Sequence, residues 1–249
     1  MVESFPEDKK LEIHGFLTST INDINEILSQ LFAWNWVDTT GASVSVRIPM
    51  AEKLFAMTPT HAGFRRWNIK NDGLVVLDSK LSLSEYSVSA YRAHPSAVVH
   101  NYIYENFELA NAIIHTHSPY SLAFASLKRD IHPTTQQSQM LGIVPCLESE
   151  VDELADRGTR FIDAKEERFT SGMEGYDYAL QHFDSLPAEL LERLGGRQDE
   201  LRRHGLAFTI YKHGVFILAR NLDEAFDNLI RVERNCQVQI YSSVLKNNS

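Results

Sequence analysis

Residues 111–121 read Asn111-Ala112-Ile113-Ile114-His115-Thr116-His117-Ser118-Pro119-Tyr120-Ser121. The run Ala112-Ile113-Ile114 is apolar and β-branched, so it predicts a short buried strand. His115 and His117 end it at i and i+2. Alternate side chains of a strand share a face. Both imidazoles can therefore reach one ion at about 2.0–2.1 Å. A rigid apolar strand is a suitable base for ligands that must hold their geometry. Pro119 then opens a predicted helix over 118–128.

Working outward, residues 10–35 carry Ile13, Phe16, Leu17, Ile21, Ile24, Leu28, Leu31 and Phe32 at helical spacing. Residues 36–42 read as a turn. Strands are predicted at 44–49, 53–58, 73–78 and 143–148, with a helix over 96–107. Residues 149–205 are rich in Glu, Asp and Arg and predict a helical excursion with a solvated face. Within it, Leu186 to Arg203 reads as two helices broken at Gly195-Gly196. Two apolar strands over 207–219 flank Lys212-His213-Gly214. A last helix carries Leu222, Phe226, Leu229, Val232, Cys236 and Ile240 as its stripe. Strands joined by short turns, with helices at the start, middle and end, predict an α/β fold. It is a mainly antiparallel sheet covered by helices, in one domain over 1–249.

His213 sits between two apolar strands and precedes a glycine, so it predicts a tight connection. It is the natural third ligand: three neutral imidazoles leave a coordination position open for water or substrate. The alternative is a core histidine bonded to a carbonyl. The other seven histidines lack paired spacing and read as surface or locally hydrogen-bonded residues.

Composition sets limits. The chain has 249 residues, with 24 Lys plus Arg against 33 Asp plus Glu and a net charge of -9. That acidity argues against nucleic acid or an anionic membrane as partner. Cys146 and Cys236 form no Cys-x-x-Cys pair, which argues against thiolate metal sites and a disulfide framework. No apolar run is long enough for a membrane span. The charged N-terminus lacks an apolar signal core, so the cytoplasm is the expected location. No Gly-x-Gly-x-x-Gly or P-loop pattern is present.

The 111–121 stretch resembles the zinc-binding strand of the class II aldolase/adducin family. Three further regions resemble it in order and spacing. Thr40-Gly-Ala-Ser-Val-Ser-Val-Arg47 is similar to its Gly-Asn-Leu-Ser loop. Met57-Thr-Pro-Thr-His-Ala-Gly63 and Asn71-Asp-Gly-Leu-Val-Val-Leu-Asp78 are similar to its Thr-Pro-Ser-Gly loop and following strand. Tyr211-Lys-His-Gly-Val215 and Asn221-Leu-Asp-Glu-Ala-Phe226 are similar to its His-Gly segment and last helix. The resemblance implies a three-layer α/β/α domain with a central antiparallel sheet. It implies Zn2+, or another divalent metal, on His115, His117 and His213. It also implies a homotetramer and a small sugar phosphate or hydroxy acid as substrate. The shared chemistry is a metal that polarises a carbonyl or hydroxyl and stabilises an enediolate.

The departures bear on the reaction. The family's aldolases carry a Glu, and its epimerases an Asp, 19 residues before the first histidine. Here that position is Ser96, and 91–104 holds no carboxylate. A serine can hydrogen-bond, but its high pKa makes it a poor base. A second acidic position falls on Ser138, with Glu148 as a nearby replacement. In the anion loops the family's Asn is Ala42, and its Ser-Gly is Thr60-His61. Gly41, Ser43, Thr58, Thr60 and Arg65 remain as candidate anion donors, and an Arg fork suits phosphate or carboxylate. Ser96, Tyr120 and Tyr241 are the candidate catalytic residues.

Three readings follow. A decarboxylase-like lyase on a small hydroxy or keto acid is favoured, because it needs no base to remove a C–H proton. A sugar-phosphate aldolase or 4-epimerase would need a substitute acid such as Tyr102, Tyr120 or Tyr241. An adducin-like assembly protein without catalysis is the third, and the retained histidines argue against it.

Overall fold

The computed structural model describes residues 7–37, 42–60, 68–69, 73–89, 93–150 and 177–247. Helix α1 (Glu7–Ala33) buries Ile13, Leu17, Ile24, Leu28 and Leu31, a stripe spaced by threes and fours. It stops at Asn35, whose φ of 58° places it in the left-handed region. The Trp36 N–H then returns to the Leu31 carbonyl, which closes the helix end.

Strands β1 (Ser43–Arg47), β2 (Leu54–Met57) and β3 (Val75–Asp78) form an antiparallel meander. Helix α2 (Ala97–Asn106) follows, then β4 (Ala112–Thr116) and α3 (Pro119–Ser126). Strand β5 shrinks from the expected 143–148 to Cys146–Leu147. Pro145 explains this, since it has no N–H to donate to a ladder. Helices α4 (Asp177–His182), α5 (Leu186–Leu194) and α6 (Gln198–His204) lead to β6 (Leu206–Ile210) and β7 (Gly214–Ala219). Helix α7 (Leu222–Asn247) ends the fold.

The sheet order is β3-β2-β1-β4-β7-β6-β5, and all pairs are antiparallel except β5 with β6. Both faces are covered. Val44, Val46, Ile114, Val215 and Ile217 pack on α1, α3 and α7. Phe55, Met57, Ile113, Phe208, Phe216 and Leu218 pack on α2, α5 and α6. This is why the β7 sequence GVFILA is apolar throughout rather than alternating.

The charged segment does more than face solvent. Its first part, 151–176, lies outside the described residues. Beyond it, Phe183, Leu186, Leu190, Leu194 and Leu201 are buried and supply part of the second outer layer. The break at Gly195–Arg197 is a short 3-10 turn. No helix among the described residues is long and apolar enough to cross a membrane.

Candidate metal centre

Strand β4 lies between β1 and β7, and its C-terminal end carries the paired histidines. His115 faces Ser43 of β1 and Phe216 of β7 across the ladder. Its ring stacks on Phe216 at 4.1 Å between centroids. Its Nδ1–H donates to the Val215 carbonyl at 3.0 Å, which leaves the lone pair on Nε2. That Nε2 is buried with no hydrogen-bond partner among the described residues. Burial, then the adjacent His213, His117 and His94, hold the His115 pKa well below the usual imidazole range. The ring is therefore neutral, the form that ligates.

His213 arrives on the β6–β7 hairpin, whose three-residue connection is Tyr211-Lys212-His213. Lys212 takes a left-handed φ of 54°, and the His213 N–H closes the turn on the Ile210 carbonyl at 3.0 Å. Gly214 follows with φ 151°. A Cβ there would press on the Thr116 carbonyl and come within 3.0 Å of His117 Cδ2 and 3.1 Å of His115 Cε1. Glycine thus lets the hairpin touch the His-x-His strand. The three rings are mutually close, with centroids at 4.8 Å (His115–His213), 4.9 Å (His115–His117) and 5.3 Å (His117–His213). One nitrogen from each lies within 4.8 Å of the others. A buried lone pair with no hydrogen-bond partner among the described residues, in a cluster of three imidazoles, fits a divalent ion. His115, His117 and His213 would hold it. Such an ion supplies Lewis acidity, drawing electrons from a substrate carbonyl or hydroxyl.

Ser96 stands at the N-cap position of α2 without a side-chain cap bond, and its hydroxyl turns to other partners. Its Oγ is 2.6 Å from Ser43 Oγ and 3.0 Å from His94 Nδ1. Ser43 is itself buried against His100 Nε2 at 3.1 Å. Thr58 Oγ1 accepts the Val44 N–H at 3.1 Å, so it ties β1 to the end of β2. Thr60 is half-buried two residues further on. Gly41 and Arg65 lie outside the described residues. Tyr120 and Tyr241 meet each other on the α3–α7 surface with their hydroxyls 3.4 Å apart, and Gln237 Nε2 donates to the Tyr120 hydroxyl at 2.8 Å. Ser138 Oγ is drawn into a buried contact with the Thr135 carbonyl at 2.8 Å and Asn235 Oδ1 at 3.1 Å. Glu148 pairs with Lys128 at the surface.

Three histidines read as ordinary from the sequence are not surface groups. His100 is fully buried, and burial pushes its pKa down to about 3. His182 is buried with its ring 5.5 Å from His213, and burial pushes its pKa down to about 4. His94 is half-buried against Ser96. A signal existed for His100, since Ser96, His100 and Tyr104 share one helix face at i, i+4 and i+8. None existed for His182, which comes from the charged segment.

Fold and cluster together define a three-layer α/β protein with a candidate all-imidazole metal centre. The profile of the Class II Aldolase and Adducin N-terminal domain matches residues 22–240, and the chain belongs to that family. It is 23% identical over 216 residues to methylthioribulose-1-phosphate dehydratase of Vanderwaltozyma polyspora, covering 82% of this chain and 71% of the relative. It is 22% identical over 232 residues to the probable L-ribulose-5-phosphate 4-epimerase UlaF of Mycoplasma pneumoniae, covering 90% and 84%. Its fold superposes on the L-fuculose-1-phosphate aldolase of Thermus thermophilus with a TM-score of 0.62, at 19% identity, covering 92% and 96% of the two chains.

Proposed function

We propose that this chain is a divalent-metal-dependent lyase acting on a small phosphorylated sugar, with zinc as the ion. The observation that carries the reading is the convergence of His115, His117 and His213 around a buried, available Nε2. The relatives support the substrate class, since the names of all three contain a phosphorylated sugar. In this reading one domain spans the chain and works as a cytoplasmic homotetramer. Gly41, Thr58, Thr60 and Arg65 bind the phosphate, while the buried Ser43 hydroxyl is engaged by Ser96 and His100 and is left out of that set. Ser96 orients groups by hydrogen bonding rather than acting as a base. Tyr120, three residues after His117, and its neighbour Tyr241 act as proton donors to substrate oxygen.

Decarboxylation of a small oxo acid is the second reading. It is favoured by the serines at 96 and 138, because loss of carbon dioxide needs no carboxylate to remove a C–H proton. One experiment decides. Zinc-loaded protein is incubated with a panel of ketose 1- and 5-phosphates and 3-oxo acids, and products are identified by mass spectrometry. An aldehyde or a dehydrated sugar supports the first reading, an epimer replaces it with an epimerase, and carbon dioxide supports the second. Zinc content that His115→Ala leaves unchanged overturns both.

A further inference from the structure

Between the sheet and α2 the apolar layer is crossed by a row of polar side chains. Tyr104 Oη is 2.7 Å from Ser45 Oγ, which is 2.7 Å from His100 Nδ1. His100 Nε2 is 3.1 Å from Ser43 Oγ, which is 2.6 Å from Ser96 Oγ. Ser96 Oγ is 3.0 Å from His94 Nδ1. The five groups from Tyr104 to Ser96 are all buried.

One backbone contact orders all five bonds. The Ser96 N–H donates to His94 Nδ1 at 3.2 Å, so that nitrogen carries a lone pair. Ser96 Oγ–H must then donate to it as well. Ser96 in turn accepts from Ser43, and Ser43 from His100 Nε2–H. A neutral imidazole has one N–H. His100 Nδ1 therefore accepts from Ser45, and Ser45 from Tyr104. Every donor points the same way, toward His94.

The two ends of the row lie toward different places. Ser43 is the cross-strand partner of His115, on the same sheet face, so the Ser96–His94 end lies beside the candidate metal centre. Tyr104 lines a cavity of about 1070 Å³ at the opposite ends of β1, β4 and β7. Arg47, Glu105 and Glu108 line the same cavity, and the Arg47 guanidinium lies 4.6 Å from the Tyr104 ring centre. Burial of so many polar groups in an apolar layer is costly unless each is satisfied, and a satisfied network holds its members in place.

We propose that Tyr104–Ser45–His100–Ser43–Ser96–His94 is a proton relay that runs from the cavity to the metal centre, with His94 exchanging the proton with substrate. The His94 Nε2–H bond breaks, and the proton joins the electron pair on the substrate carbon. In step, the Ser96 proton moves to His94 Nδ1, that of Ser43 to Ser96, and that of His100 Nε2 to Ser43. The Ser45 proton moves to His100 Nδ1, and that of Tyr104 to Ser45. Cavity water supplies Tyr104, and the hydroxide left is neutralised in solvent. Every side chain ends neutral, with both imidazoles in their other tautomers. The Ser96 N–H, now facing a protonated Nδ1, disfavours the flipped network, which resets when water entering the emptied site protonates His94 Nε2 and protons pass back along the row to cavity water. Removal of a substrate proton is the same sequence reversed and starts from the flipped network.

The substrate step rests on the lyase reading, so the test has one arm independent of it. In 15N-histidine NMR of the zinc-loaded full chain, His94 and His100 should each appear as the Nε2–H tautomer. The buried His100 N–H should exchange into D2O rapidly, and Ser43→Ala or Ser45→Ala should slow that exchange. A merely structural network predicts the reverse, because either cavity loosens the packing and speeds exchange. An Nδ1–H tautomer at either histidine, or exchange unslowed in both variants, overturns the relay whether or not a substrate is known. In the second arm, a panel substrate is turned over in H2O/D2O mixtures. His94→Gln should lower kcat by about 100-fold with zinc retained. The dependence on deuterium fraction should be curved in the wild type and linear in Ser43→Ala. A linear wild-type dependence overturns the relay. Absence of turnover with any panel compound sinks the lyase reading while the exchange arm still decides.

Discussion

Glu233 and Ser121 are joined across the core: the carboxylate Oε1 accepts the Ser121 backbone N–H at 2.8 Å. Its Oε2 accepts the Tyr120 N–H at 3.1 Å. These are first-turn amides of α3, which no helical carbonyl can satisfy. Ser118, at the cap position, makes no side-chain cap bond, and Pro119 has no N–H. A fully buried acid from α7 thus does the capping, and its pKa is raised by that burial. Because α3 starts directly after His117, the same contact anchors the histidine strand. Glu233→Ala should cost about 2–4 kcal/mol, since it orphans one buried and one part-buried amide. Urea unfolding measures the loss, and weaker zinc binding in a metal-competition titration should accompany it.

Removing the metal should matter to the wild type and not to the ligand variants. Chelation should lower Tm of the zinc-loaded protein, because an ion bound to the folded state alone stabilises it. His115→Ala and His213→Ala should purify with little zinc and show a Tm indifferent to chelator. Calorimetry with and without chelator, alongside elemental analysis, checks both statements.

Gly214→Ala should disturb the centre without touching a ligand. The left-handed φ and the contacts with Thr116 and His117 predict a loss of about 1–3 kcal/mol. Zinc occupancy should fall with it. Gly15→Ala is the control: the new methyl meets nothing within 4 Å on α1, and the change should stabilise by about 0.5–1 kcal/mol. Equal effects from the two would contradict the role assigned to Gly214.

His100 should make the protein acid-sensitive. Its folded pKa is about 3 against 6.5 for the free group, so the unfolded chain binds the extra proton. Its contribution to stability is full above the unfolded value and is lost as pH falls from 6.5 toward 3. At pH 5 the loss is about 2 kcal/mol from this residue alone. The urea midpoint should drop less between pH 7.5 and pH 5 in His100→Gln than in the wild type. Groups common to both proteins, including Glu233, cancel in that comparison.

Most of the architecture was readable because the patterns are local. The α1 stripe, the β-branched run before His115 and the apolar runs around Lys212-His213 each mark their element. The extent of β5 was overestimated because Pro145 cuts the apolar run 143–148. The charged segment was misjudged in part: its leucines at 186, 190 and 194 are four apart, a helical face that the surrounding charges obscured. At the site, His115 and His117 announce themselves by spacing, and His213 only by its hairpin setting. The buried state of His100 was legible in hindsight from its apolar neighbours Ala97, Val98 and Val99. The approach of His182 to His213 is a product of packing across the fold, and no local pattern encodes it.

The placement of β4 between β1 and β7 has a consequence for biogenesis. His115 bonds to Val215, 100 positions further along the chain. A ribosome therefore exposes His115 and His117 well before His213 exists. Two imidazoles alone make a weak and unselective chelator. At the proposed metal centre, full affinity would arise only when the β6–β7 hairpin docks, one of the last long-range pairings available to the growing polypeptide. Ion capture there would mark completion of the sheet, and a chain truncated before residue 213 would leave synthesis with only two of the three candidate ligands.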